Sequence, residues 1–398
     1  MDTMTKVTFL LVSDVREIVS GLPIGALEDL GGKHVLITGG RGFLGRYFTA
    51  VFRHLNETHL VAKPVRVTCM DNLISAGPEG ANTSEFTNEN IRFVNHNVIE
   101  PFGGIVTDGG HRDSTWSRLD FILHAAGIAS PAHYRKFPLE TMEVAITGLK
   151  NSLELARANP GCKLSFFSSS EIYGDPDAAH VPTDETYRGN VACLGPRSCY
   201  DSSKRMGEGL VQIYVEQHGV HATIIRPFNI YGPGMQATDY RVLPNFAARI
   251  ALGEPLEVYG DGKQTRTYCY VADAIGGFLR VLLNGRAGEP YNIGNPSPEI
   301  GVDRLAAMSD ALAHGLGWTP RPAHQVKPHP ASYPADEPSR RRPDISKAAR
   351  ELGYAPRVTL EDGLRRFFGW ALEVYPKRAR PPAPPATSTP SDGSTVLA

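Results

Sequence analysis

The stretch "HVLITGGRGFLGRYF", residues 34–48, decides the fold. A short apolar run ends in glycines, and an amphipathic helical pattern follows them. Strand, glycine turn and helix in that order bring helix N-terminal N–H groups to the place where a dinucleotide pyrophosphate binds. Gly39, Gly42 and Gly45 carry the spacing, with Phe43 and Leu44 opening the helix between them. Gly40 also completes the tighter G-x-G-x-x-G form, so the glycines alone do not choose the subtype. A glycine triplet fits a plain tight turn as well; the flanking strand and helix favour the dinucleotide site.

Apolar runs of the same kind recur downstream as "VRVTCM" (65–70), "IRFV" (91–94), "DFILH" (120–124), "KLSFFS" (163–168) and "ATIIR" (222–226). Continuous apolar runs mark strands buried on both faces. Helical patterns lie between them, the clearest with Leu139, Met142, Ile146, Leu149 and Leu153 on one face. The alternation predicts an α/β fold, a doubly wound parallel sheet with helices on both sides. Before it, Asp14 with Glu17 three places on is expected to cap a short helix that docks through Val15, Ile18 and Val19. After about residue 227 the texture turns Pro- and Gly-rich, as expected of a smaller ligand-covering α/β domain, and a final helix carries Leu360, Leu364, Phe367, Phe368, Ala371 and Leu372. The expected organisation is an extension (1–32), a dinucleotide-binding domain (33–226, with part of 267–293 returning to it), a mainly substrate-binding domain (227–375) and a disordered tail (376–398) too poor in apolar residues to order.

Composition narrows the partners. At 398 residues with 41% hydrophobic and 21% charged residues, the chain can bury a sizeable core, and a formal net charge of -1 provides no field to draw nucleic acid or anionic lipid. A small-molecule ligand is the default. Five cysteines without C-x-x-C spacing argue against a disulfide framework and a structural zinc site, so no metal is expected and a reducing compartment fits. The opening apolar run is broken by Asp14, Arg16 and Glu17, which fits neither a secretory signal nor a membrane span; a cytoplasmic location follows.

The acid expected after the second strand is Asp71, followed by Asn72. A carboxylate there accepts hydrogen bonds from both ribose hydroxyls and repels a 2′-phosphate, which favours NAD over NADP. "NHNVIEP" offers Asn97 and Val98 near the adenine, and "HAAGIASP" places Ala125 and Ala126 where backbone must approach the cofactor closely.

Chemistry enters with "RSCYDSSKRMGE", which sets Tyr200 and Lys204 four apart on one helix face. A phenol is a poor base at neutral pH, but an adjacent ammonium and a positive nicotinamide favour phenolate. Upstream, "SSSEIYG" (168–174) ends a strand in hydroxyls and then an acid: Ser169, Ser170 and Glu171.

Together the glycine loop, this Ser-rich strand end, Tyr-x-x-x-Lys, "RPFNIYGPG", "VYGDGKQTRTYCYVADA" and "RRRPDISKAARELGY" resemble the extended short-chain dehydrogenase/reductase family acting on nucleotide sugars, from about residue 33 to about residue 375. The resemblance implies a Rossmann domain that binds NAD and a C-terminal domain that holds a nucleotide diphosphate sugar. Within the family, "SEIYGDP", with Arg197 three residues before Tyr200, is similar to UDP-glucuronate decarboxylases. That similarity implies that Ser169 and Tyr200 grip the C4 hydroxyl and that Glu171 and Ser170 lie beside C5 and C6. It implies further that Arg341 meets the carboxylate, and that Asn229, Arg241 and Arg266 hold the diphosphate. Tyr259 either lines the base pocket or is structural. A homodimer through residues 138–157 and 199–218 is also implied.

Departures from the group's pattern leave other readings open. Ser202 and Ser203 stand where such decarboxylases usually carry Glu-Gly, Asn97 replaces an acid, and residues 103–118 are additional. A nucleotide-sugar 4-epimerase or dehydratase is the runner-up, and a binding module that kept the fold and lost turnover is the third.

Overall fold

The computed structural model describes residues 10–75, 87–102, 105, 118–317, 324–329 and 338–375. The expected disordered tail and nearly all of the 103–118 addition lie outside them. Six strands form where the apolar runs stand: β1 (His34–Thr38), β2 (Arg66–Asp71), β3 (Ile91–Asn95), β4 (Phe121–His124), β5 (Lys163–Phe167) and β6 (His221–Pro227). A seventh, Pro290–Ile293, pairs with β6, and the sheet runs β3–β2–β1–β4–β5–β6 and then this last strand, every pairing parallel.

The side-chain alternation of a strand splits the core in two. Val35 and Ile37 of β1, with Phe121 and Leu123 of β4, face a cluster built on the helices Phe43–Thr58 and Val271–Asn284. Leu36 and Ile122 face the other cluster, with Leu149 and Leu153 of the helix Leu149–Ala158 and Val211 and Tyr214 of the helix Ser198–His218. Both faces of the sheet are therefore covered, as a parallel sheet requires. The strand order reverses between β1 and β4, and ligands of open α/β sheets bind at such a switch point.

Two local expectations are corrected. Leu11 holds the N-cap position of the helix Val12–Gly21, so Asp14 lies inside its first turn and does not cap it. Its buried carboxylate instead accepts hydrogen bonds from Tyr270 (2.9 Å) and Tyr47 (3.2 Å) and pairs with Arg366 at 3.5 Å, while Val15, Ile18 and Val19 dock as expected. The stripe Leu139–Leu153 is also broken. A π turn, Val144–Gly148, separates the helices Pro138–Glu143 and Leu149–Ala158. The wider turn rotates the apolar face, leaving Leu139 74% and Met142 38% exposed while Leu149 and Leu153 stay buried.

Burial raises the pKa of Asp14 to about 6, against the opposing pull of its tyrosine bonds and Arg366. A folded value above the unfolded one means stability present below pH 4 and lost as pH rises through about 6. An Asp14→Asn variant is expected to lack this dependence, so its urea midpoint gains on the parent's between those values. Parallel pH profiles for the two proteins would contradict it.

Candidate active site

The turn after β1 is shaped for close approach. Gly39 adopts φ +69°, and a Cβ there would come 2.8 Å from the Ala126 backbone; a Cβ on Gly45 would lie 2.3 Å from the Gly39 carbonyl. Only glycines let the helix Phe43–Thr58 start this near the strand ends. Phe43 and Leu44 pack partly buried against the core at that start. Asp71, at the tip of β2, accepts from the backbone N–H of Arg41 (2.9 Å) and of Leu73 (2.7 Å). Its neighbour Asn72 accepts from the N–H of Ile74 at 3.2 Å. Asn97 and Val98 follow β3, with Val98 buried and its carbonyl accepting from Asn151 at 3.0 Å. Ala125 and Ala126 follow β4, and the Ala126 N–H donates to the Thr38 hydroxyl at 3.2 Å.

Across the switch point stands the second group. Ser169, two residues beyond β5, is extended, and its hydroxyl accepts from the N–H of Glu171 at 3.2 Å, capping the one-turn helix Ser170–Tyr173. Tyr200 lies in the first turn of the helix Ser198–His218; its ring stacks on Tyr134 at 5.4 Å, and the Ser169 hydroxyl acts on its phenol. Burial pushes the phenol up to about 12; Ser169 lowers it, and Glu171 and Asp201 raise it. Lys204, one turn on, is buried, donates to the Phe167 carbonyl at 2.7 Å and lies 5.8 Å from the Tyr200 ring centroid. Burial lowers its ammonium to about 8, with Glu208 opposing.

Glu171 is gripped by arginines. Arg341 forks onto both of its oxygens at 2.5 and 2.6 Å, and Arg197 also donates to it. Burial alone would raise this carboxyl, but Arg341 and Arg197 outweigh it and hold it below the usual carboxylate range. Ser170 is buried beside it in the same turn. Arg241 and Arg266 act on Glu171 electrostatically, although Arg241 is clamped by Asp239 at 2.5 Å and Arg266 donates to the carbonyls of Thr265 and Pro338. Asn229 takes φ +44° and donates to the Thr267 carbonyl at 2.8 Å. Tyr259 is engaged by its own strand neighbour, donating to Glu257 at 2.7 Å.

The model of the NAD dependent epimerase/dehydratase family matches residues 35–294. The chain belongs to that family. It is 35% identical over 344 residues to UDP-glucuronic acid decarboxylase 1 of Xenopus tropicalis, covering 86% of this chain and 73% of that protein. Its identity to UDP-glucuronic acid decarboxylase 1 of Arabidopsis thaliana is also 35%, over 84% of this chain and 68% of that one. Among solved structures it is similar to a dTDP-glucose 4,6-dehydratase of Streptomyces venezuelae with NAD bound, with TM-score 0.69, 27% identity and coverage of 85% and 97%. NAD, the family's cofactor, fits the chain: a loop that no Cβ could enter leads into a helix N-terminus, and each Asp71 oxygen takes one backbone bond and keeps lone-pair capacity for a ribose diol.

Several residues of the site escaped notice in the sequence. Tyr134 stacks on Tyr200 from a helix 66 positions away, and no local pattern announces it. Asp201 and Glu208 had a signal: each lies four residues beyond a charged site residue, Arg197 and Lys204, on one helix.

Proposed function

We propose that this chain is an NAD-dependent lyase that decarboxylates UDP-glucuronate to a UDP-pentose. The observation that carries it is the pair Arg197 and Arg341, buried and trained on one carboxylate, beside the Tyr200–Ser169 pair. Guanidinium forks suit carboxylates geometrically. The similarity to decarboxylases of UDP-glucuronic acid, at about a third identity over most of the chain, supports the same substrate.

When bound, NAD would accept a hydride from C4 and later return it, so that the sugar passes through a 4-ketone without net redox. Burial alone keeps Tyr200 a neutral phenol, so it takes the C4 hydroxyl proton only as the phenolate that the positive nicotinamide of bound NAD and the Lys204 ammonium would favour, while Ser169 holds that hydroxyl. A C4 ketone is β to the C6 carboxylate, so the electron pair of the C5–C6 bond can stay on the sugar when carbon dioxide leaves. Ser170 and Glu171 orient C5 and C6. Glu171 stays ionised between its arginines, which suits it to orienting and makes it a weak proton donor. Gly39, Gly42, Gly45, Asp71, Asn97 and Val98 line the cofactor, while Asn229, Arg241, Arg266 and Tyr259 serve the nucleotide diphosphate.

We place the cofactor domain at 33–226, with part of 267–293, and the sugar-nucleotide domain mainly at 227–375. A homodimer is supported by apolar side chains left exposed on two helical segments, Leu139 and Met142 on one, Met206 and Ile213 on the other. Among the described residues no helix is long and apolar enough to cross a membrane, in keeping with a cytoplasmic enzyme.

Incubation with a panel of sugar nucleotides tests the substrate. UDP-glucuronate should be consumed as a pentose nucleotide appears; turnover of hexose nucleotides alone would overturn the proposal. Because Lys204 loses its proton near pH 8, kcat should fall along an alkaline limb there, and Lys204→Arg should move that limb upward. A kcat–pH profile with the same limb in both proteins would exclude Lys204 as its source.

A further inference from the structure

Asp201 has no part in the chemistry set out above, yet it sits in the arginine cluster. Its side chain is 6% exposed; Oδ2 accepts from Arg197 Nε at 3.3 Å, and Oδ1 is buried with no hydrogen-bond partner among the described residues. An oxygen so placed makes the ionised form costly, because each lone pair taken from water needs a donor, and so leaves Asp201 poised to take up a proton. The groups acting on Asp201 are Arg197 from its own helix, Glu171 from the turn after β5 and Arg341 from the strand Arg340–Arg341. Arg197 and Arg341 are the guanidiniums that hydrogen-bond these two carboxylates, and both are already engaged; Arg266 and the Asp239-paired Arg241 act on Glu171 only electrostatically.

A substrate carboxylate entering here competes with Glu171 and Asp201 for the two engaged guanidiniums. Glu171 cannot give way by protonation without losing three charge-assisted bonds, whereas Asp201 has one bond to give up. We propose that Asp201 is the charge-balancing residue of the carboxylate subsite, taking up a proton as a uronate nucleotide binds and so releasing Arg197 to the substrate. This rests on the decarboxylase reading. Burial raises its carboxyl to about 7, against the pull of Arg197, which puts the exchange within reach at neutral pH.

The proton balance agrees. When the C5–C6 bond breaks, its electron pair remains on the sugar as an enolate, so the negative charge stays after carbon dioxide has gone. It is discharged only when C5 takes a proton. One proton is consumed per turnover, at C5; the proton that Asp201 takes up with the substrate is a separate one and returns to solvent when the product, which lacks the carboxylate, leaves. As a positioning residue it acts through Arg197.

Calorimetric titration of the NAD-loaded Tyr200→Phe protein at pH 8, in two buffers of different ionisation enthalpy, measures this directly. UDP-glucuronate should bind with uptake of about one proton more than UDP-glucose, which lacks the carboxylate. With Asp201→Asn added, the excess should vanish while both ligands still bind. Binding of UDP-glucuronate without excess uptake, or an excess that survives Asp201→Asn, would overturn this inference alone. Failure of UDP-glucuronate to bind where UDP-glucose does would overturn the functional reading and this inference with it. Should the Asn variant not fold, the absence of excess uptake on the Tyr200→Phe protein still overturns the inference, and Asp201→Ser takes the place of Asp201→Asn in assigning an excess that is seen.

Discussion

Replacing Tyr200 by Phe is expected to leave NAD bound and to cut turnover of UDP-glucuronate by about 10²-fold or more, the scale of losing a positioned acid–base group. The substitution removes only the hydroxyl. The ring keeps its stack on Tyr134 at 5.4 Å and 18°, and its place in the small cluster with Ile128, so little packing is lost. What disappears is the phenol oxygen on which Ser169 acts. Steady-state rates, with cofactor binding followed by fluorescence, separate the outcomes. Turnover near the parent's would remove Tyr200 from the chemistry, and loss of NAD would give the hydroxyl a structural role.

The second large effect falls on stability. Glu208 accepts two hydrogen bonds from Arg226, at 2.9 and 2.6 Å, and one from the Ser168 hydroxyl at 2.6 Å. Arg226 also donates to Tyr173 at 2.7 Å, and Tyr173 in turn to Asn292 at 2.8 Å. This buried network ties the helix that carries Tyr200 to β5, β6 and the strand Pro290–Ile293. Glu208→Ala leaves a guanidinium uncompensated in the core and should cost about 3–5 kcal/mol. Removing both partners, as in Glu208→Leu with Arg226→Met, should recover much of that, since no unpaired charge remains. Urea unfolding of the three proteins measures it; a single-variant loss below about 1 kcal/mol would show that the pair is solvated.

Much of the fold was legible in the sequence because a parallel sheet buried on both faces writes each strand as an unbroken apolar run. Gly45 could be read because its contact is local, with the backbone of Gly39 and Gly40 at the end of β1, whereas Gly39 was legible only through the motif spacing, its close neighbour being Ala126 after β4. The stripe from Leu139 to Leu153 misled for a physical reason: its spacing assumes uniform α-helical turns, and the π turn at Val144–Gly148 rotates the face without a mark in the spacing. Asp14 misled similarly. Its place before a helical pattern suits a cap, but two tyrosines from distant segments claim it. Arg341 could be assigned only through resemblance, since 170 positions separate it from the glutamate it clasps.

The most direct test uses UDP-glucuronate labelled with carbon-13 at C6, mixed with the NAD-loaded enzyme and followed by NMR. The label should leave as carbon dioxide and bicarbonate while an unlabelled UDP-pentose accumulates, with no net reduction of NAD. Label retained in a hexuronate inverted at C4 would contradict this account and make the chain an epimerase.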